Sequence, residues 1–122
     1  MKIDELMNDR KKLEEAYRFF ITKKLLFKRN ANLVLAHIAK SNNNLEFVDF
    51  LIKNNKFFDW AVIGLYYSVY HVSLALLSKN GFASKNHNAT LCFIIKHFSD
   101  FNSLYFLLSL SDISTIFINK LL

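Results

Sequence analysis

The chain has 122 residues, a mass of 14.3 kDa and a formal net charge of +6, and 52% of its residues are hydrophobic. This length predicts one domain over residues 1–122, because two domains would each have too few residues for a substantial core. The apolar content excludes intrinsic disorder. Proline is absent and there are two glycines, so the turns that sandwiches, barrels and Gly-rich phosphate loops need are scarce. The composition therefore favours an all-α fold.

The cysteine count and the charged start of the chain indicate the cytoplasm. A single cysteine, Cys92, excludes an internal disulfide. Charged residues stand where a signal peptide would have its apolar stretch: Lys2, Asp4, Glu5 and Asp9. Because its neighbours are Leu91 and Phe93, Cys92 is expected to be a buried apolar residue and not a nucleophile.

Basic residues are concentrated near the N-terminus, where residues 1–30 hold nine basic and five acidic side chains. A first helix is predicted from Asp4 to Phe27, and its two faces differ. The basic face holds Lys11, Lys12, Arg18 and Arg29, and the apolar face holds Leu6, Leu13, Tyr17 and Phe20. The basic face permits an anionic partner, although it is also what a solvated helix face looks like.

Four further helices are expected along the chain. Helical spacing of apolar residues predicts the second from Asn32 to Asn54. The third is expected to begin near Asp59, whose carboxylate can cap it, and to end before Gly81, which can adopt a left-handed conformation. The fourth follows Ser84 or Asn86 and ends near Phe98, and the last spans Leu104–Leu122 with a break near Asp112.

The third helix contains nineteen residues without a formal charge, 60–78, which is long enough to cross a bilayer. Hydroxyl and imidazole groups in its middle argue against this, because lipid offers them no partners. These groups belong to Tyr66, Tyr67, Ser68, Tyr70, His71 and Ser73. A central helix of a bundle, with no membrane contact, is the favoured interpretation.

The same region carries a resemblance to a known family. The matching runs are FDWAV (58–62), YYSVYH (66–71), LALL (74–77), Gly81 and SKNHNATL (84–91). Paired aromatics before Ala-Leu-Leu, a glycine turn and a Lys-x-His resemble the prokaryotic branch of the HEPN family (higher eukaryotes and prokaryotes nucleotide-binding). The resemblance covers residues 33–98 and is weaker at both ends.

The resemblance implies an up-and-down bundle of four to five helices, commonly a homodimer. It also implies association with nucleotide or RNA, or with a small nucleotidyltransferase in a toxin–antitoxin-like context. Similar proteins usually end in a helix with an Arg shortly before a Tyr, which this chain lacks.

Two groups of residues in this region are candidates for ligand binding. Tyr67 and His71 are four apart on one helix face, so they could stack on a base and donate to a phosphate. Lys85 and His87 stand at a helix start, where unpaired N–H groups attract anions. We expect a corner at Gly81 to bring Tyr67 and His71 within reach of His87. The alternatives are an internal polar contact for His71 and ordinary capping by Ser84 or Asn86.

The sequence predicts no enzyme activity. Ribonucleases of the HEPN superfamily resemble one another in an Arg, four to six intervening residues and a His. Here Arg29, the last arginine, is one residue too far from His37, and His71, His87 and His97 have none within reach. The four histidines are dispersed along the chain, so neither a metal site nor a cofactor is expected.

The sequence is therefore consistent with two functions. The first is a non-catalytic HEPN-type binding module acting through Tyr67, His71, Lys85 and His87. The second is a structural helical homodimer without a ligand, which would bury the apolar residues of the second half. Those residues include Tyr105, Phe106, Leu107, Leu108, Ile113, Ile116 and Phe117.

Overall fold

The computed structural model describes residues 3–98, which form five helices and one pair of short strands. The helices are α1 (Ile3–Asn8), α2 (Arg10–Thr22), α3 (Val34–Lys53), α4 (Phe58–Lys79) and α5 (His87–Phe98). The strands are β1 (Leu26–Lys28) and β2 (Phe82–Ser84). The predicted mainly helical, bundle-like architecture is confirmed. The predicted helix from Leu104 to Leu122 lies outside the described residues.

The predicted first helix is wrong in two places. It breaks at Asp9, whose carboxylate accepts hydrogen bonds from the backbone N–H groups of Lys11 and Lys12 and so caps α2. It also ends at Thr22, and the chain then forms β1, so Arg29 is not on a helix. Its apolar face is confirmed, because Leu6, Leu13 and Phe20 are buried.

The later helices begin and end close to the predicted residues, with one correction. Asp59 lies in the first turn of α4 and does not cap it, because Phe57 occupies the N-cap position in a left-handed conformation. At the other end Gly81 has φ +77°, the left-handed conformation that was expected after the helix.

The antiparallel pairing of β1 with β2 was not predicted. Leu26 pairs with Ser84, Phe27 with Ala83 and Lys28 with Phe82. This pair connects the segment after α2 to the corner between α4 and α5. Strands of three residues carry too few positions for an alternating pattern, so no periodicity along the chain indicated them.

Most buried hydrophobic residues within 3–98 fall into two groups. The larger group joins α1, α2, β1, the end of α4 and α5, and its fully buried members include Leu77, Cys92 and Phe93. The smaller group joins α3 to the start of α4 through Val48, Leu51 and Ala61. The expectation that Cys92 is buried is thereby confirmed.

Within residues 3–98, α4 has the length and composition of a membrane-crossing helix. One such helix is a weak indication of membrane insertion, because the core helix of a soluble protein has the same properties. The absence of membrane contact therefore stays a prediction.

Candidate functional site

Six rings from three helices form a continuous series of contacts, which we call the aromatic–histidine cluster. Its members are His37 of α3, Tyr66, Tyr67, Tyr70 and His71 of α4, and His87 of α5. All of them are at least partly accessible to solvent. The cluster thus places aromatic faces and titratable nitrogens together on an accessible surface.

The start of α5 positions His87. Asn86 caps this helix, because its side-chain oxygen accepts a hydrogen bond of 2.8 Å from the N–H of Ala89. Thr90 is completely buried and bonds to the Asn86 carbonyl, to Ser84 and, at 3.4 Å, to the Tyr70 hydroxyl. Ordinary capping by Asn86 is therefore confirmed, and Thr90 fixes the helix start against α4. Sequence reasoning overlooked Thr90, since a buried threonine leaves no distinct pattern.

His87 contacts Tyr66 and Tyr70 instead of the expected Tyr67 and His71. Its ring centre lies 4.3 Å from that of Tyr70, and its Nδ1 lies 3.1 Å from the Tyr66 hydroxyl. Tyr66 precedes the predicted Tyr67 by one position, and Tyr70 likewise precedes the predicted His71. One residue turns a helix by about 100°. The face of α4 that meets α5 is therefore rotated from the one the sequence suggested.

Tyr67 remains connected to the cluster through Tyr66, with ring centres 5.4 Å apart. It is 38% exposed, which leaves ring surface open to solvent. Such a tyrosine offers a face on which another planar group can stack.

His71 pairs with His37 of the neighbouring helix. The two Nδ1 atoms lie 3.2 Å apart, and the rings are inclined by 25° with their centres 5.4 Å apart. Burial, followed by the charges of Lys40 and Arg29, lowers the pKa of His37. Burial, followed by His37 and Lys40, lowers the pKa of His71. Both imidazoles are thus neutral near pH 7, and one Nδ1–H donates to the other Nδ1.

Lys85 is not in contact with the other predicted site residues. Its ammonium group lies over the ring of Phe27, 5.7 Å from the ring centre, and its backbone N–H donates to the carbonyl of Leu25. The structure therefore directs this cation toward β1, while Tyr67, His71 and His87 belong to the cluster.

A cavity of about 180 Å³ borders the His37 end of the cluster. Its polar lining includes Arg29, Ser78 and Ser84. Sites for whole small-molecule ligands usually enclose about 300–1,000 Å³, so this cavity suits a group of phosphate size. Sequence reasoning assigned Arg29 to a helix face and found it one residue too far from His37 for the ribonuclease spacing, so it did not predict that both residues line one cavity.

Within residues 3–98, no group of three or more His, Cys, Asp or Glu side chains is arranged to hold a metal ion. Comparisons with protein-family models, with curated proteins and with solved structures find no match to this chain.

Proposed function

We propose that this chain is a non-catalytic, cytoplasmic HEPN-type binding module that binds a nucleotide or a short RNA segment through the aromatic–histidine cluster. The observation that carries the proposal is the continuous contact of three tyrosines and three histidines on an accessible surface. Aromatic faces bind bases by stacking, and this requires no particular base sequence.

Tyr67 and His87 have complementary roles in this proposal. The exposed ring of Tyr67 stacks on the base. His87 holds the Tyr66 hydroxyl with Nδ1, so in the tautomer with a proton on Nε2 it can donate to a phosphate while neutral. Arg29, in the neighbouring cavity, supplies a positive charge for a second phosphate.

Calorimetric titration of the full chain with AMP, ATP and an RNA octamer tests this function. Tyr67→Ala should weaken binding by the loss of one stacking contact, about 1–3 kcal/mol, and His87→Ala should weaken it as well. Phe19→Ala is the matched control, because Phe19 is an exposed aromatic residue of α2, away from the cluster. Equal affinities for the Tyr67 and Phe19 variants, or no binding by the unaltered chain, would exclude the proposed site.

Lys85 provides a second comparison within the same assay. Lys85→Ala should weaken the binding of an anionic ligand more than Lys28→Ala does. Lys28 is the control because it is also a lysine near the strand pair, but it lies opposite Phe82 and not at the start of α5. The difference should shrink as salt increases, since the contribution is electrostatic.

The missing Arg-x4–6-His spacing supports the proposal that the chain has no HEPN-type ribonuclease activity. Cleavage of RNA in HEPN-like nucleases needs a positioned His as acid or base and an Arg to stabilise charge on the phosphate. Incubation of the purified protein with labelled RNA should leave the RNA intact, and cleavage that co-purifies with the chain through several columns would contradict the assignment.

A small nucleotidyltransferase is the protein partner that the resemblance to HEPN proteins suggests. The arrangement would be toxin–antitoxin-like, with the two proteins encoded side by side. Co-expression with a nucleotidyltransferase encoded next to this chain should give a complex that survives gel filtration, and separate elution of the two proteins would remove this partner.

A structural homodimer is the second candidate function, and an apolar face on α3 favours it. Leu35 is 81% exposed, and Ile38, Leu45 and Ile52 repeat at seven-residue intervals with 41–54% exposure. This spacing is typical of helices that pair with another helix. A second copy is the occupant we favour, because in an antiparallel pair centred on Leu45 the exposed Ile38 of one chain would lie opposite the exposed Ile52 of the other.

Light scattering after gel filtration decides this candidate. A homodimer has twice the chain mass of 14.3 kDa. Leu45→Lys should convert it to a monomer, whereas Asn43→Lys, another charge added to exposed α3 surface, should leave it dimeric. A monomeric unaltered chain would refute it. The apolar residues from Tyr105 to Phe117, also expected to be buried in a dimer, lie outside the described residues.

A further inference from the structure

The pairing of His37 with His71 has a geometry that suits a metal ion. A tetrahedral zinc ion binds imidazole nitrogens at about 2.0–2.1 Å, which places two such nitrogens about 3.3–3.4 Å apart. The two Nδ1 atoms here are 3.2 Å apart. A small movement of the side chains would therefore allow both to bind one ion.

We propose that His37 and His71 form a two-histidine site for a divalent late transition-metal ion such as Ni²⁺ or Zn²⁺, with water completing the coordination. Imidazole nitrogen suits these ions, whereas Mg²⁺ and Ca²⁺ prefer oxygen ligands. This site is independent of base stacking on Tyr67, since different atoms carry the two interactions.

The protonation of the pair suits metal binding. Metal ligands must be neutral imidazoles, and burial holds the pKa of both below the ordinary value. Without metal, one ring carries its proton on Nδ1 and donates it to the other. On binding, that ring carries its proton on Nε2 instead, so both Nδ1 lone pairs face the ion and no net proton is released near pH 7.

The surroundings fix the two ligands and also limit the affinity. Ser41 and Ser68, about one helical turn away, are joined by a buried hydrogen bond that fixes α3 against α4 at this level. Both histidines are partly exposed, which gives water access to the remaining coordination positions. Lys40 and Arg29 act on His37 electrostatically, and their positive charges oppose a divalent ion. The site should therefore be reversible and not a permanent structural centre.

Calorimetric titration with NiCl₂ and ZnCl₂ tests the site, using the full chain without an affinity tag and after removal of metals with EDTA. We expect one ion per chain and no heat with MgCl₂. His37→Ala and His71→Ala should each weaken binding about tenfold or more, a factor that reports loss of one ligand. His97→Gln is the matched control, because His97 lies on α5 and contacts Tyr17 and Phe93 instead of the pair.

A second measurement covers the case in which a histidine variant fails to fold. In the ¹⁵N-labelled unaltered chain, Zn²⁺ should shift the Nδ1 resonances of two of the four histidines. Absence of binding by the unaltered chain, affinity in the His37 and His71 variants that equals that of the unaltered chain, or shifts at His87 and His97 alone would overturn the proposal.

Discussion

The hydroxyl groups of Ser41 on α3 and Ser68 on α4 lie 2.8 Å apart and are both buried between the two helices. Each is the other's partner in a region that water does not reach. Ser41→Ala should therefore leave the Ser68 hydroxyl unsatisfied and lower the free energy of unfolding by about 1–3 kcal/mol. Urea unfolding at pH 7.5, followed by circular dichroism, measures this loss.

The double variant Ser41→Ala/Ser68→Ala is the matching control for that experiment. Removing both hydroxyls leaves no unsatisfied group, so the double variant should lose less stability than the sum of the single variants. Strictly additive losses would show that the two hydroxyls do not interact in solution.

Gly64 allows α4 to approach α3 closely. A Cβ at this position would lie 2.9 Å from Cγ2 of Val48 and 3.3 Å from Cδ1 of Phe47. Gly64→Ala should therefore lower the free energy of unfolding by about 1–3 kcal/mol through overpacking, in spite of alanine's better helix propensity. Thermal denaturation detects the change.

The added substitution Val48→Ala makes room for the methyl group, so Gly64→Ala should lower the free energy of unfolding by less in that background. An unchanged or raised melting temperature in the Gly64 variant would contradict the close approach.

Asn86 caps α5 through the hydrogen bond from Ala89 N–H to its side-chain oxygen. Asn86→Ala should lower the free energy of unfolding by about 1 kcal/mol, the usual cost of losing a cap. Asn86→Asp keeps an oxygen in the same place and should retain most of the stability, which makes it the control in the same chemical denaturation series. If the Asp and Ala variants lose equal stability, the cap does not contribute.

Cys92 should be chemically inert in the folded protein. Its side chain is completely buried, and burial raises the pKa of the thiol to about 11. The thiolate that reacts with disulfide reagents is therefore nearly absent at pH 8. Ellman's reagent should modify Cys92 slowly in buffer and rapidly in urea. Fast modification under native conditions would show that α5 is not packed as described.

Acidification should destabilise the protein through His87. Burial lowers its pKa in the folded chain, so the unfolded chain binds the proton more readily. The stability due to neutral His87 is complete above the unfolded pKa of about 6.5 and is lost as the pH falls from there to the lower folded pKa. Burial also lowers the pKa of His97, so this residue too should lower the stability of the folded chain as the pH falls.

Urea unfolding midpoints between pH 7.5 and pH 5 measure this effect. The midpoint should fall on acidification, and it should fall less in His87→Gln, which cannot titrate at that position. A midpoint that rises as the pH falls would mean that the imidazole is better solvated in the folded chain than its contacts with Tyr66 and Tyr70 indicate.

The sequence predicted α3, α4 and α5 well, because helical spacing of apolar residues and the signals at Asn86 and Gly81 act over a few neighbouring residues. It did not predict the strand pair or the pairing of His37 with His71. Those contacts join residues 34 or more positions apart, and they depend on how the helices are rotated against one another. The same rotation explains why His87 meets Tyr66 and Tyr70 while the sequence suggested Tyr67 and His71.

The two separate groups of buried residues have a consequence for local unfolding. The group around Val48, Leu51 and Ala61 is small, whereas α5 is anchored in the larger one. The hairpin end formed by the last turns of α3 and the first turns of α4 can therefore open while α5 keeps its packing, and its amide protons should exchange with solvent deuterium sooner. The ring series from His37 to His87 lies between these regions, so a bound molecule would slow the exchange on the hairpin side first.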